Sequence, residues 1–129
     1  MDAGHCELRL TRRYDASPEE VWAALTEPDS IGRWLARPVE LELTPGGAFT
    51  LANGVDARIR ELEPGRLLAL EWGHAREERS IVHFELHAEV DGNGTILTLE
   101  HGRIHAPLGM RYLSRWTSVL DRVGAEVAA

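Results

Sequence analysis

The feature that most constrains the fold is an alternation of apolar and polar residues from Val39 to His101. A period of two is typical of strands that bury one face. Connections as short as the interrupting turns join antiparallel neighbours, because a parallel crossover needs a dozen residues or more. We therefore predict an antiparallel sheet with one apolar and one solvated face. The turns are Pro45-Gly46-Gly47, Asn53-Gly54, Pro64-Gly65 and Asp91-Gly92-Asn93-Gly94.

Seven strands are expected in this sheet, counting an opening segment, Glu7 to Tyr14, that alternates in the same way. Arg12 and Tyr14 fall on the same side of that segment as Leu8 and Leu10, which is the side expected to face the core. A long strand is predicted from about Glu78 to Val90. Residues of one parity in each later strand are expected to face the core: Val39, Leu41, Leu43; Phe49, Leu51; Val55, Ala57, Ile59; Leu68, Leu70, Trp72; Val82, Phe84, Leu86, Ala88, Val90; Leu97, Leu99, His101.

Two short helices are predicted after the first strand. Ser17 begins a capping box with Glu20, and Pro18 suits the first helical position, so a helix is expected over Val21 to Leu25. A second helix is expected from Asp29 to Trp34 or Leu35, because Pro38 disfavours helix just before it.

The end of the chain is predicted to be one long helix beginning near Pro107. Apolar residues recur there at spacings of three and four, which places them on one helical face. About 20 residues at 1.5 Å each extend roughly 30 Å, enough to cross a whole sheet. The stripe consists of Leu113, Trp116, Leu120, Val123 and Val127.

Composition narrows the classes of function. The 129 residues carry a formal net charge of −7, and all 14 basic residues are arginine. The acidic total disfavours nucleic acid and anionic membranes as partners, and lysine chemistry is excluded. No apolar run is long enough for membrane insertion. A single cysteine and the lack of a secretory signal at the N-terminus predict a cytoplasmic protein.

The ordered motifs of the chain resemble those of the SRPBCC (START-like, helix-grip) superfamily, and within it a group of homologues of heat-shock-protein ATPase activators. The departures are Leu35, where an aromatic residue is common, and Arg115, where glycine is common. The resembling segments are Ala16-Ser17-Pro18-Glu19-Glu20-Val21-Trp22, Ile31-Gly32-Arg33-Trp34-Leu35, Gly46-Gly47-Ala48-Phe49, Leu67-Leu68-Ala69-Leu70-Glu71-Trp72, Gly94-Thr95-Ile96-Leu97-Thr98-Leu99-Glu100-His101, and Trp116 with Leu120, Val123 and Val127.

This resemblance spans nearly the whole chain and implies one START-like domain over residues 1–129. The implied architecture is an α+β helix-grip fold, in which a seven-stranded antiparallel sheet wraps around the long C-terminal helix. The resemblance further implies that a hydrophobic small molecule binds between sheet and helix. The residues expected to line that cavity are Trp34, Phe49, Trp72, Phe84, His101, Tyr112, Leu113, Trp116 and Leu120.

His101 has two interpretations. It could orient a ligand or move a proton, or it could be a core histidine satisfied by a neighbouring backbone group. His83 and His87 are not predicted to bind a metal, because four residues of strand span about 13 Å. Arg12 could bind an anionic ligand group. No catalytic motif, metal or cofactor is predicted.

Three functions follow. The first is binding or carriage of an apolar small molecule, such as a lipid or aromatic metabolite, without catalysis. The second is a cyclase-, aromatase- or hydrolase-like enzyme in the same cavity, with His101 or Tyr112 as acid or base. The third is a protein-interaction module related to chaperone ATPase activators, and a homodimer stays open as a partner. A cavity larger than roughly 300 Å³ supports the first two, and a filled interior would count decisively against both.

Overall fold

The computed structural model describes residues 4–74, 76–90 and 93–128, and the predicted order of elements is confirmed. The predicted turn at residues 91–94 lies partly outside the described residues, at Asp91 and Gly92. The strands are β1 (His5–Tyr14), β2 (Pro38–Leu41), β3 (Ala48–Leu51), β4 (Asp56–Glu63), β5 (Leu67–Trp72), β6 (Ser80–Ala88) and β7 (Thr95–His105). The helices are α1 (Pro18–Thr26), α2 (Pro28–Trp34) and α3 (Gly109–Ala128), with a 3₁₀ turn at Ala106–Leu108 before α3.

The strands form one antiparallel sheet in the order β1-β7-β6-β5-β4-β3-β2. Strands β2 to β7 follow one another as a meander because short turns join them. β1 is separated from this meander by α1 and α2, and it pairs with the last strand, β7, over its whole length. The chain therefore returns to its starting strand before it enters α3.

The start of α1 has the predicted capping box. Ser17 Oγ accepts a hydrogen bond from the backbone N–H of Glu20 at 3.2 Å, and the Glu20 carboxylate accepts one from the Ser17 backbone N–H. Pro18 occupies the first helical turn, where its missing N–H costs nothing. Pro28 begins α2 in the same way. These local signals set the position of the two short helices beside the sheet.

The 20 residues of α3 lie on the concave face of the sheet, as predicted. Leu113 and Val127, which the sequence pattern placed on the same stripe, are only partly buried. Among the described residues, no helix is long and apolar enough to cross a membrane. The buried side of the helix consists of Tyr112, Trp116, Val119, Leu120 and Val123.

Polar contacts fasten the C-terminal half of α3 to β1 and α2. Arg12 on β1 lies on the inward side, as predicted, but its guanidinium is paired with Asp121 of α3 at 2.5 Å. Tyr14 donates a hydrogen bond to the Leu120 carbonyl at 2.7 Å, and Arg33 pairs with Glu126 at 2.7 Å. Asp121 is therefore the carboxylate that Arg12 binds in this structure.

The inward parity fails at the strand ends. Val39 is 66% exposed because the register of β2 shifts between Pro38 and Glu40, which turns Val39 outward. Leu43 lies beyond the end of β2 and is also exposed. Ala88 and Val90 are exposed because β6 ends at Ala88, away from the core. The alternation therefore predicts which residues are buried only where α3 or the short helices cover the sheet.

Replacing Ser17 with alanine should lower the free energy of unfolding by about 1 kcal/mol, because the capped N–H of Glu20 loses its acceptor. Urea denaturation measures this change. Ser118→Ala is the matched control, since Ser118 is exposed in the middle of α3, and it should change stability by less than about 0.5 kcal/mol. Equal losses in both variants would contradict the capping role of Ser17.

Candidate functional site

The residues predicted to line a cavity come together between the sheet and α3, but they pack against one another. All except Leu113 retain at most 3% of their surface in contact with solvent. A side chain that lined a void large enough for water would keep surface that water can touch. The space around these residues is therefore filled. The residues concerned are Trp34, Phe49, Trp72, Phe84, His101, Tyr112, Trp116 and Leu120.

Aromatic rings form a continuous chain through this interior. The ring centroids of Trp34 and Phe84 are 6.1 Å apart, those of Phe84 and Trp116 are 5.9 Å apart, and those of Trp116 and Trp72 are 5.3 Å apart. The rings meet edge to face or tilted, which suits their quadrupoles. Trp116 of α3 thus joins rings from α2, β6 and β5 into one cluster.

His101 is a satisfied core histidine with side-chain partners. Its Nδ1 accepts a hydrogen bond from the indole N–H of Trp116 at 2.9 Å. The ring proton therefore sits on Nε2, which donates to Ser80 Oγ at 2.7 Å. Burial lowers the pKa of His101 from 6.5 to about 4, so the ring is neutral near pH 7. The expected backbone partner is replaced by two side chains.

Tyr112 and Glu77 close one end of the grip, by which we mean the interface between the sheet and α3. The Tyr112 hydroxyl donates a hydrogen bond to Glu77 Oε1, and its ring stands edge to face against His101 at 4.6 Å. Burial and the hydrogen bond to Glu77 raise the pKa of Tyr112 to about 12, so the phenol keeps its proton. On the far side of Glu77, Oε2 lies 3.8 Å from His74 Nδ1.

Two buried side-chain nitrogens in the described part of the chain lack a hydrogen-bond partner, and both belong to this end. They are Trp72 Nε1 and His74 Nδ1. The Trp72 N–H does lower the pKa of Tyr112, so it faces that hydroxyl without forming a hydrogen bond of regular geometry. By contrast, Trp34 donates its N–H to the Ala24 carbonyl at 2.7 Å. The buried indole N–H is therefore hydrogen-bonded at the Trp34 end of the grip, whereas the one at the Tyr112 end has no regular hydrogen bond.

A depression of about 450 Å³ lies between the β5–β6 loop and the start of α3, and Glu77 belongs to its wall. The lining residues are Arg76, Glu77, Glu78, His105, Leu108 and Arg111. Another depression, of about 410 Å³, is on the outer face of the sheet, where Arg9, His83 and Glu100 contribute to its walls.

The sequence pattern did not identify Ser80 and Glu77 as members of this end, and it left His74, beside Trp72, either near the mouth of the pocket or in a loop without a role. Ser80 and His101 are not direct neighbours in the sheet register, where Ser80 pairs with Trp72. Glu77 and His74 lie in the loop between β5 and β6, whose course depends on the tertiary structure. The only sequence signal was the position of that loop directly after Trp72.

The titratable side chains at this end of the grip are engaged with one another. Both nitrogens of His101 are engaged, and Tyr112 holds its proton well above neutral pH. Glu77 already accepts the Tyr112 hydroxyl. Trp72 Nε1 and His74 Nδ1 are buried without a hydrogen bond of regular geometry.

Comparisons with known proteins agree with this fold. A family model described as "Activator of Hsp90 ATPase homolog 1-like protein" matches residues 15–128. A Mus musculus protein, "Activator of 90 kDa heat shock protein ATPase homolog 1", is 26% identical over 113 residues, which cover 86% of this chain and 33% of the mouse protein. The chain thus spans about a third of the length of that relative.

Two solved structures give further matches. CalU16 from Micromonospora echinospora is 33% identical with a TM-score of 0.85, and the alignment covers 93% of this chain and 73% of that one. An HSP90 activator from Plasmodium falciparum is 24% identical with a TM-score of 0.68, covering 76% of this chain and 73% of that one. The second likeness concerns the fold alone.

The low pKa of His101 predicts a pH dependence of stability. Between pH 6.5 and 4 the unfolded chain binds a proton that the folded protein does not. The free energy of unfolding should therefore fall as the pH falls through this window, by a His101 contribution on the order of 3 kcal/mol. Urea denaturation at pH values at and between these limits measures it.

The variant His101→Gln should lack this contribution, so its stability should approach that of the unsubstituted protein as the pH falls. His83→Gln, on the outer face of β6, is the matched control and should retain the full pH dependence. A His101→Gln variant whose stability changes with pH as steeply as that of the unsubstituted protein would show that His101 is not held neutral.

Proposed function

Because the chain belongs to the Activator of Hsp90 ATPase homolog 1-like family, within the SRPBCC superfamily, we propose that it binds an apolar small molecule. The binding site would be the end of the grip where Trp72, His101, Tyr112 and Trp116 meet. The observation that carries this proposal is the buried Trp72 N–H, which faces the Tyr112 hydroxyl without a hydrogen bond of regular geometry. A buried donor left unpaired costs about 1–3 kcal/mol, and a well-placed ligand acceptor would recover part of that cost.

The filled interior counts against a preformed binding cavity, so the proposed ligand must displace side chains to enter. Tyr112 and Glu77 close the end of the grip that lies beside the depression of about 450 Å³. Breaking their hydrogen bond, which a carboxylate accepts, costs about 1.5–3 kcal/mol. A ligand that buries about 200 Å² of apolar surface gains about 5 kcal/mol, and association itself costs about 4 kcal/mol or more. A ligand that enters past Tyr112 must therefore bury more apolar surface than this to bind.

Binding without catalysis is the better assignment. General acid–base catalysis needs a group that can take or give a proton to the substrate. His101 has both nitrogens engaged, and its pKa of about 4 leaves it a weak base. We therefore assign it the role of a positioning residue for Trp116.

Docking to a chaperone ATPase is a second candidate, favoured by the match of residues 15–128 to the activator family. The mouse relative carries this activity in its name but is about three times as long as the matching segment. A purified Hsp90-type ATPase assayed with and without this protein separates the two candidates. A dose-dependent rise in ATP hydrolysis would support docking.

Ligand binding should shift the Trp72 indole signal in a ¹⁵N–¹H NMR spectrum more than the Trp34 signal, because the Trp34 N–H is already hydrogen-bonded to the Ala24 carbonyl and the Trp72 N–H lacks a hydrogen bond of regular geometry. Four probes cover the relevant chemistry: decanol, decanoate, 6-hydroxy-2-naphthoate and the neutral amide of that naphthoate. Trp72→Phe identifies the signal by its loss. At least one probe should bind with a Kd below about 1 mM.

Trp72→Phe should also weaken binding of the probe that shifts the signal. Trp34→Phe is the matched control, since it removes a satisfied N–H at the other end of the grip. It should lower stability and leave binding unchanged. If none of the four probes shifts the Trp72 signal, the proposed function is wrong.

A further inference from the structure

Two neighbouring residues of β7 are placed against their usual backbone preferences. Arg103 has a φ of 60°, in the left-handed region, and it is the one non-glycine residue with a positive φ in the described part of the chain. Glycine adopts this conformation freely, whereas arginine is strained in it. Gly102 has no positive φ, and a Cβ built on it would lie 3.7 Å from its nearest neighbour, Oε1 of Glu7. The backbone therefore suits a side chain at position 102 and a glycine at position 103, the reverse of this sequence.

A β-bulge accounts for the backbone at these two positions but not for the residue types. The register of β1 and β7 shifts so that Glu7 lies opposite both Gly102 and Arg103. The extra residue in β7 turns Ile104 into the core, where it is 1% exposed. Glycine at position 103 would form the same bulge with less strain. Departures from local preference that bring no structural gain are expected at functional sites.

The glycine leaves a depression on the outer face of the sheet, and the arginine contributes to its wall. Gly102 pairs with Ile81 of β6, so the row of outward side chains that crosses β1, β7 and β6 is interrupted in the middle. The depression has a volume of about 410 Å³, which lies in the range of small-molecule sites. Its lining includes Glu7, Arg9, Ile81, His83, Glu100 and Arg103.

The charged side chains of this depression are two carboxylates and two guanidinium groups. Arg9 and Glu100 lie 3.8 Å apart and compensate each other. Glu7 and Arg103 form no ion pair with any described residue, although the strand register makes them neighbours. The depression therefore offers a ligand one carboxylate and one guanidinium from adjacent strands, without net charge.

We propose that this depression binds a free α-amino acid with an apolar side chain, whose ammonium group is bound by Glu7 and whose carboxylate is bound by Arg103. A single carbon atom joins the two charges of such a ligand, which suits opposite charges on neighbouring strands. The guanidinium can donate two parallel hydrogen bonds to the carboxylate, and Ile81 provides apolar surface for the ligand side chain. This site is on the face of the sheet opposite to α3, so the inference does not rest on the function proposed above.

A ligand that carries only one of the two charges should bind less well. It would leave either Glu7 or Arg103 unpaired, and it would face a like charge across the depression, which disfavours binding. The selectivity for a zwitterion is therefore the property that tests this site.

The test is a ¹⁵N–¹H NMR titration with L-leucine and with two derivatives that each lack one charge, leucinamide and N-acetylleucine. Low salt is used because salt screens exposed charges. L-Leucine should bind the unsubstituted protein at least about fivefold more tightly than either derivative. It should shift the backbone signals of Gly102 and Arg103 and leave the Trp72 indole signal in place.

Two charge variants assign the two contacts. Glu7→Gln should make L-leucine and N-acetylleucine bind equally, because the ammonium group loses its partner. Arg103→Gln should make L-leucine and leucinamide bind equally. The matched control is Arg60→Gln/Glu61→Gln, which removes one exposed charge of each sign from β4 and should keep the fivefold preference for L-leucine.

Two further variants separate binding from stability, which urea denaturation measures. Arg103→Gly should raise the urea midpoint because it relieves the strained φ, and it should weaken L-leucine binding at least about fivefold. Gly102→Val should fill the depression and weaken binding to the same degree without lowering the urea midpoint, since valine suits a strand. If Arg103→Gly or Gly102→Val binds L-leucine as well as the unsubstituted protein does, the proposed site is wrong.

Three other results would overturn the inference. They are no L-leucine binding at about 20 mM, equal binding of L-leucine and its derivatives by the unsubstituted protein, and a shift of the Trp72 indole signal in place of the Gly102 signal. The function proposed above is read from Trp72 with other probes, so it stands or falls separately.

Discussion

The packing of Trp116 against His101 is the contact on which the rest of the molecule depends. Both side chains are fully buried, and the indole N–H donates to the imidazole. This hydrogen bond fixes the rotation of α3 about its axis, because it leaves one position for the largest side chain on the helix. It also fixes the tautomer of His101 and hence the role of Ser80 as acceptor. Burying either polar group at this depth without a partner would lower stability.

The filled interior follows from that arrangement. Once Trp116 is seated, its ring contacts Phe84 and Trp72, and Phe84 contacts Trp34. A sheet that wraps a helix leaves space where the two surfaces diverge, and here large rings occupy it. The residues expected to line a cavity lie together between the sheet and α3, where they pack against one another.

The two ends of the grip differ in how completely their polar groups are hydrogen-bonded. At the α2 end, the indole N–H of Trp34 donates to the Ala24 carbonyl, and the Trp34 backbone carbonyl accepts a hydrogen bond from Arg122 at 3.2 Å. Arg33 of α2 forms an ion pair with Glu126 of α3. At the Tyr112 end, one hydrogen bond to Glu77 closes the core while Trp72 and His74 retain unpaired nitrogens. Because its polar groups are hydrogen-bonded or ion-paired, the first end holds α2 against α3. The second end, which is less completely hydrogen-bonded, is the one proposed for ligand binding.

The sequence by itself determined the elements of this protein, because their signals are local. The capping box at Ser17, the alternation through Val82 and Leu99, and the stripe around Trp116 each act within a few residues. Tertiary structure alone decided which groups met. The indole N–H of Trp116 is buried next to His101 on β7, which accepts its hydrogen bond. The pairing of β1 with β7 places Arg12 beside Asp121. The path of the loop between β5 and β6 brings Glu77 into contact with Tyr112. Such contacts join residues far apart in the chain, so no period or spacing encodes them.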